Sequence, residues 1–354
     1  MLSKTIKEYF DRCVRSEYQG SSKEHPIIIL NAIKNIIGDN RKEYSKKLLE
    51  LMEHKSVEFP ERKDDQSILE KIAKEGLGLT VFVSELEDAC QSGIPEKIER
   101  EAARMQWVSD NGLGGFEALI EVALQDFERL GAFSFHLFRS NIFERNINET
   151  WPYTRCLVNE IIKKPLPEPH NKENVDCTFK SGSKRSQTIN FTSGHRFWNG
   201  EYVRSEGYKR EISFWIKNQY YQSEMKIDKN IKKEITLYFK NGGNFFIEVA
   251  EDLINKKNDI IYLESLRYLS KQNKNFHTFV SFEISDFNML IKMVYRHLIR
   301  FVLFVTPHHY YFYLPVRLMC SGFLLQALLM KNYILELKFL LSIYLGRFAH
   351  PSIF

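Results

Sequence analysis

Several signatures of catalysis and metal binding are missing from this chain of 354 residues. Its five cysteines are scattered and none stands in a CxxC pair, which excludes a zinc ribbon and gives no basis for a disulfide framework. No Glu-x-x-His pair of the kind found in di-iron bundles occurs. The glycine-rich turn 111–115 lacks the Lys-Ser/Thr of a P-loop, and no serine or cysteine lies in a recognisable nucleophile elbow. We therefore predict no metal and no cofactor, and the sequence leaves enzymatic activity open.

The N-terminus also lacks a secretory signal. Its first residues, MLSKTIKEYFDRC, carry charges throughout and contain no apolar run. Together with the unpaired cysteines, this predicts a cytoplasmic protein. No repeat of 33–47 residues stands out, so a helical solenoid is not favoured.

Charge is present but unevenly divided. Residues 1–170 hold 24 Lys and Arg against 29 Asp and Glu, whereas residues 171–354 hold 26 bases against 16 acids. This division predicts either two halves with different partners or two halves that attract each other.

Helical patterns dominate the first half. Pro26 begins the run PIIILNAIKNII and Gly38 ends it, which is the placement expected for a helix. The run FEALIEVALQDFERL, over 116–130, predicts one helix with Glu121, Gln125 and Glu128 on its outer face. We predict a compact helical bundle over 1–165 and a proline-rich linker over 166–177.

The pattern changes after the linker. Alternating segments such as REISFWI and EITLYF, with Asn-Gly turns at 199–200 and 241–242, predict an antiparallel β-rich segment over 178–250. An apolar helical tail over 251–354 follows. The expected fold class is therefore α+β, with an all-α bundle, a small antiparallel sheet and apolar C-terminal helices.

The predicted sheet suggests a nucleic-acid surface. One face would present aromatic rings among basic side chains, which is how single strands are stacked and their phosphates contacted. The residues of this hypothetical surface are Trp215, Tyr238, Phe246, Lys209, Arg210, Lys217 and Lys240. The alternative is that this face is also buried, under the tail or the helical half.

The tail has three interpretations. Residues 301–330 contain a single charge, Arg317, and bases precede the apolar stretch. The tail is a soluble core, a segment that contacts a membrane surface through 289–349, or an extension without a selected fold. Arg317 near the middle of the stretch disfavours a simple membrane span.

These patterns favour a non-enzymatic binding or scaffold protein. The acidic helical half would bind a protein partner, and the basic half would contact a membrane surface or an acidic polymer. One alternative is a single-stranded nucleic-acid-binding protein that uses the surface defined above. The other is an enzyme with its site between the two halves, for which the polar candidates are Arg104, Glu128, His136 and Arg139.

Overall fold

The computed structural model of the chain describes residues 2–78, 80–143, 150–179, 183–219, 233, 235–238 and 243–286. All of these residues lie in the first of two compact units, Met1–Phe287. Most of them belong to α-helices. In chain order the helices are α1 Leu2–Val14, α2 Pro26–Ile37, α3 Lys46–Ser56, α4 Asp65–Glu75, α5 Val83–Ser92, α6 Pro95–Val108, α7 Leu113–Ala123, α8 Phe127–Asn141, α9 Thr150–Ile162, α10 Arg185–Trp198, α11 Ser205–Lys217, α12 Phe245–Asp252, α13 Lys257–Gln272 and α14 His277–Asp286.

The predicted α+β fold is wrong, because the protein is mostly all-α. In the described part of the chain there is no sheet, only an isolated antiparallel bridge between Ser16 and Glu61. Helices α10, α11 and α12 occupy the segment for which the sequence predicts strands, and residues 235–238 are helical as well.

The buried residues of α11 explain the error. Tyr208, Ile212, Trp215 and Ile216 are buried, and their spacing forms one helical stripe. The same residues are aromatic or β-branched, and such residues also read as strand formers in isolation. Strand propensity mostly reports how a side chain packs, so the tertiary environment overrides it.

Helix α2 lies at the centre of the fold. Most of its residues are buried, and it packs against α1, α3, α8, α12 and α13. The predicted start and end are confirmed, since Pro26 is the first helical residue and Gly38 is the C-cap. A helix with this many apolar residues is stable only when it is surrounded, and α2 is covered by helices from both halves of the sequence.

The helix predicted over 116–130 is interrupted, and this break positions the candidate site. Helix α7 ends at Ala123, a single 3-10 turn covers Leu124–Asp126, and α8 begins at Phe127. Gln125 lies in this turn and Glu121 precedes it in α7, and both side chains are buried although the sequence pattern places them on the outer face.

Two predictions about membranes have different outcomes. No helix in the described part of the chain is long and apolar enough to cross a membrane. The apolar stretch 301–330 and the membrane-contacting region 289–349 lie outside the described residues.

Candidate ligand-binding cleft

A cleft of about 500 Å³ lies where the turn before α8 meets the segments that follow the predicted linker. The cleft is therefore lined by both halves of the sequence: the first contributes residues 125–128 and His170 of the predicted linker, and the second contributes parts of α10 and α11. Its lining consists of Gln125, Asp126, Phe127, Glu128, His170, Lys184, Ser186, Gln187, Glu211, Phe214, Trp215, Asn218 and Gln219.

His170 and Glu211 form a hydrogen-bonded pair in the cleft wall. His170 Nδ1 lies 2.7 Å from Glu211 Oε2, and the His170 backbone N–H donates to Glu211 Oε1 at 3.3 Å. The Glu211 side chain is fully buried and also accepts a bond of 2.8 Å from Arg210 Nε. Because an ionised carboxylate only accepts hydrogen bonds, Nδ1 of His170 is the donor, and in the neutral form of the imidazole the lone pair lies on Nε2.

The imidazole of His170 is fixed by stacking as well. Its ring lies parallel to the ring of Phe214, with centroids 3.7 Å apart and an interplanar angle of 15°. The side chain of His170 remains 20% exposed. A histidine held by a carboxylate on one nitrogen and left open on the other can accept a hydrogen bond or a proton from a bound molecule.

Gln125 presents an unused acceptor in the same wall. Its Nε2 donates to the carboxylate of Glu87, which fixes the orientation of the amide, and its Oε1 is buried without a partner among the described residues. Burial raises the pKa of the Glu87 carboxyl. A buried carbonyl oxygen without a donor costs free energy, so a ligand that supplies an N–H or O–H group gains by reaching it.

Glu128 is held on the edge of the cleft by three donors. Lys23 Nζ donates to its Oε1 at 2.6 Å, while Trp215 Nε1 and Asn190 Nδ2 donate to its Oε2 at 3.0 and 3.3 Å. Trp215 is buried against Phe127, with ring centroids 4.8 Å apart. The indole therefore orients a carboxylate and does not form a solvent-facing platform.

The other residues of the hypothetical nucleic-acid surface are dispersed. Phe246 is fully buried in α12, and the hydroxyl of Tyr238 donates to Asp39. The bases each have a carboxylate partner: Lys209 pairs with Glu206, Arg210 with Glu211 and Lys217 with Glu173. Lys240 lies outside the described residues. The sheet face on which the hypothesis depends does not exist in the described part of the chain, because Trp215 and Phe246 are core residues of helices.

The four polar candidates for an enzyme site do not converge. Only Glu128 lines the cleft. Arg104 is tied to Glu85, Glu101 and the carbonyls of the loop before α5. His136 is buried in α8 with Nδ1 at 2.8 Å from Asn31 Nδ2, and Arg139 is exposed on the same helix.

The structure also brings together a cysteine and a histidine that the sequence does not connect. Cys156 Sγ lies 3.6 Å from His25 Nε2, and both residues are buried. His25 Nδ1 accepts a hydrogen bond from the backbone N–H of Ile27, so Nε2 carries the proton and cannot act as a base toward the thiol. Burial raises the pKa of Cys156 to about 12 and lowers that of His25 to about 3. The pair is a neutral part of the core.

The described residues contain no group of three or more His, Cys, Asp or Glu side chains placed to hold a metal ion. Comparison with protein-family models, with curated proteins and with solved structures finds no match for this chain. The cleft and its side chains are therefore the basis for any proposal about function.

Proposed function

We propose that the protein is a binding protein and that its ligand site is the cleft between the turn 125–128 and α11. The observation that carries the proposal is Gln125, which lines the cleft and whose Oε1 is buried without a donor among the described residues. His170 Nε2 offers a second acceptor in the same wall. Two acceptors in a partly apolar cleft favour a small polar molecule that carries hydrogen-bond donors, such as a polyol, an amide or a nucleoside.

Ligand-observed NMR with a mixture of polyols, primary amides and nucleosides tests this proposal. We expect binders in the wild type whose saturation-transfer signal is lost in Gln125→Leu and strongly reduced in His170→Phe, which retains a ring to stack on Phe214. The matched control is Gln66→Leu, because Gln66 is exposed on α4 and bonds only to Glu70 among the described residues. Binders that are lost equally in the control, or no binder in any of the three classes, would contradict the proposal.

A second candidate, an enzyme that uses general acid–base chemistry, is favoured by the His170–Glu211 pair. A carboxylate that fixes the tautomer of a histidine is the arrangement that makes Nε2 an effective base. The same NMR samples test it, since an enzyme would convert a bound compound into a new species. Product formed by the wild type but not by His170→Phe would replace binding with catalysis as the function of the cleft.

Two further predictions stay predictions. One is that the helical half binds a protein partner, and the other is that residues 289–349 contact a membrane surface. The geometry of the cleft does not bear on the protein partner. The second falls on residues outside those that the structure describes.

A further inference from the structure

A second polar cluster lies where α2, α8, α10 and α13 meet. Arg196 of α10 donates to Glu264 of α13 at 2.7 Å, and Glu264 is almost fully buried. Asn35 Nδ2 donates to the same carboxylate oxygen at 2.9 Å. The ammonium of Lys34 in α2 lies over the ring of Phe143, and the guanidinium of Arg196 lies over the ring of Phe135 at 5.1 Å. Arg139 is four residues from each of these phenylalanines, which places it on the same side of α8. We call this group the Lys34 cluster.

Positive charge exceeds negative charge in the Lys34 cluster. Arg196 uses the single carboxylate of Glu264, and the neighbouring Arg267 and Lys271 both use Asp39. Lys34 and Arg139 form no hydrogen bond or ion pair within the described part of the chain. Lys34 is partly buried, and its ammonium lies 5.3 Å from the centroid of the Phe143 ring.

The surroundings of Lys34 disfavour its charge in the free protein. Burial lowers its pKa to about 7, and the nearby Arg139, Arg196 and Arg267 contribute to this shift, while Glu264 opposes it. His136 on α8 adds no positive charge to the cluster, because burial lowers its pKa to about 3 and keeps it neutral. A cation placed among cations is stabilised by an anion that enters from the solvent side.

We propose that Lys34 and Arg139 form a binding site for a phosphate-class oxyanion. The guanidinium of Arg139 can donate two parallel hydrogen bonds to a tetrahedral oxyanion, and the ammonium of Lys34 supplies a point charge from the opposite helix. Arg196, held in place by Glu264 and by stacking on Tyr268 at 3.9 Å, adds long-range attraction. The phosphate belongs either to a free small molecule or to a lipid headgroup.

Isothermal titration calorimetry of the full chain with sodium sulfate, at an ionic strength kept constant with sodium chloride, tests the site. We expect binding in the wild type that weakens on the order of tenfold or more in Lys34→Met and in Arg139→Gln. Lys74→Met is the matched control, because Lys74 is an exposed lysine of α4 that forms no ion pair in the described part of the chain. Arg139 is exposed, so its substitution leaves the fold intact even if Lys34→Met does not. Equal affinity in Arg139→Gln and wild type, or no binding by the wild type, would overturn the proposal.

Sulfate also gives a pH test, since it remains a dianion throughout the neutral range. The affinity of the wild type should fall as the pH rises through about 7, where Lys34 of the free protein loses its proton. The affinity of Lys34→Met should change much less over the same interval. A wild-type affinity that is independent of pH would remove Lys34 from the site.

Vesicles distinguish the two sources of phosphate. Flotation with phosphatidylcholine vesicles that contain a phosphoinositide should show binding that Arg139→Gln weakens if the ligand is a lipid headgroup. Sulfate binding without such a difference in flotation assigns the site to a free phosphorylated molecule. Neither result depends on the cleft near His170, so this proposal and the one for the cleft fail independently.

Discussion

Two buried histidines, His25 and His136, are kept neutral by the core around them. Burial lowers the pKa of each to about 3, whereas a histidine in an unfolded chain titrates near about 6.5. Below about pH 6.5 these two histidines bind protons in the unfolded chain but not in the folded protein. The contribution to stability is therefore complete above about pH 6.5 and is lost as the pH falls toward about 3.

The substitution His25→Asn should reduce this pH dependence. Asparagine preserves an acceptor for the Ile27 N–H that His25 caps, but it does not titrate. The variant loses packing against Phe133, whose ring centroid lies 4.9 Å away, so its stability at pH 7 should be lower than that of the wild type. Between about pH 4 and 6 its free energy of unfolding should fall less steeply, by up to about 1.4 kcal/mol per pH unit. Urea unfolding at several pH values measures both slopes.

The control for this prediction is His54→Asn, because His54 is exposed at the end of α3. It should retain the slope of the wild type. Identical slopes for His25→Asn and the wild type would show that His25 is not a neutral core residue.

At the scale of whole elements, the end of α5 depends on a glycine. Gly93 has φ 67° and ψ 13°, the left-handed conformation that ends many helices. A Cβ at this position would lie 2.6 Å from Pro165 Cγ, since the backbone N–H of Leu166 bonds to the carbonyl of Cys90 and brings the chain after α9 against α5. Both the backbone conformation and the neighbouring proline therefore require glycine.

We expect Gly93→Ala to lower the free energy of unfolding by about 1–3 kcal/mol, measured by chemical denaturation. Gly114→Ala is the matched control. Gly114 is exposed in the first turn of α7, and the nearest atom to an added Cβ is Ser109 Cβ at 3.4 Å. That substitution should be neutral or stabilising by up to about 1 kcal/mol, because alanine favours a helix. A Gly93→Ala variant as stable as the wild type would argue against the close approach of Pro165 to Gly93.

Element boundaries were predictable where the signal is local. The start of α2 at Pro26 and the break near Gly112 both follow from residues that dictate their own backbone. The helices within 178–250 were not predictable in this way, because the residues of α11 satisfy a strand pattern and a helix pattern equally. Contacts with α8, far away in sequence, decide between them.

The candidate cleft shows the same limit. His170 lies in a segment with the composition of a linker, and its partner Glu211 is 41 residues away, so no local pattern connects them. Gln125 reads as an outward-facing residue unless α7 is known to end at Ala123. Glu128 was identified from the sequence, but only as one of four candidates, the other three of which lie elsewhere.

For the molecule as a whole, the second half of the sequence covers the core of the first. Helix α10 packs against α8, and α13 packs against α2. The ring of Phe197 in α10 contacts Phe135 and Phe138 of α8, with centroids 5.4 and 6.4 Å away. Each large apolar side chain uncovered by removing these helices would cost about 1.5–3 kcal/mol, against a total stability of about 5–15 kcal/mol for a typical protein.

A chain that ends at residue 165, the predicted boundary of the helical bundle, should therefore not fold by itself. We expect it to show no cooperative thermal transition by circular dichroism and to bind the dye ANS, since α2 and α8 would be exposed. A chain that ends at residue 287 retains the compact unit Met1–Phe287 and should melt cooperatively. A cooperative transition in the shorter chain would instead support the bundle over 1–165 as an independent domain, and the contacts of α10 and α13 would then join two stable parts. In that case the cleft, which residues 125–128 share with α11, would lie at a boundary between domains, where ligand sites are common.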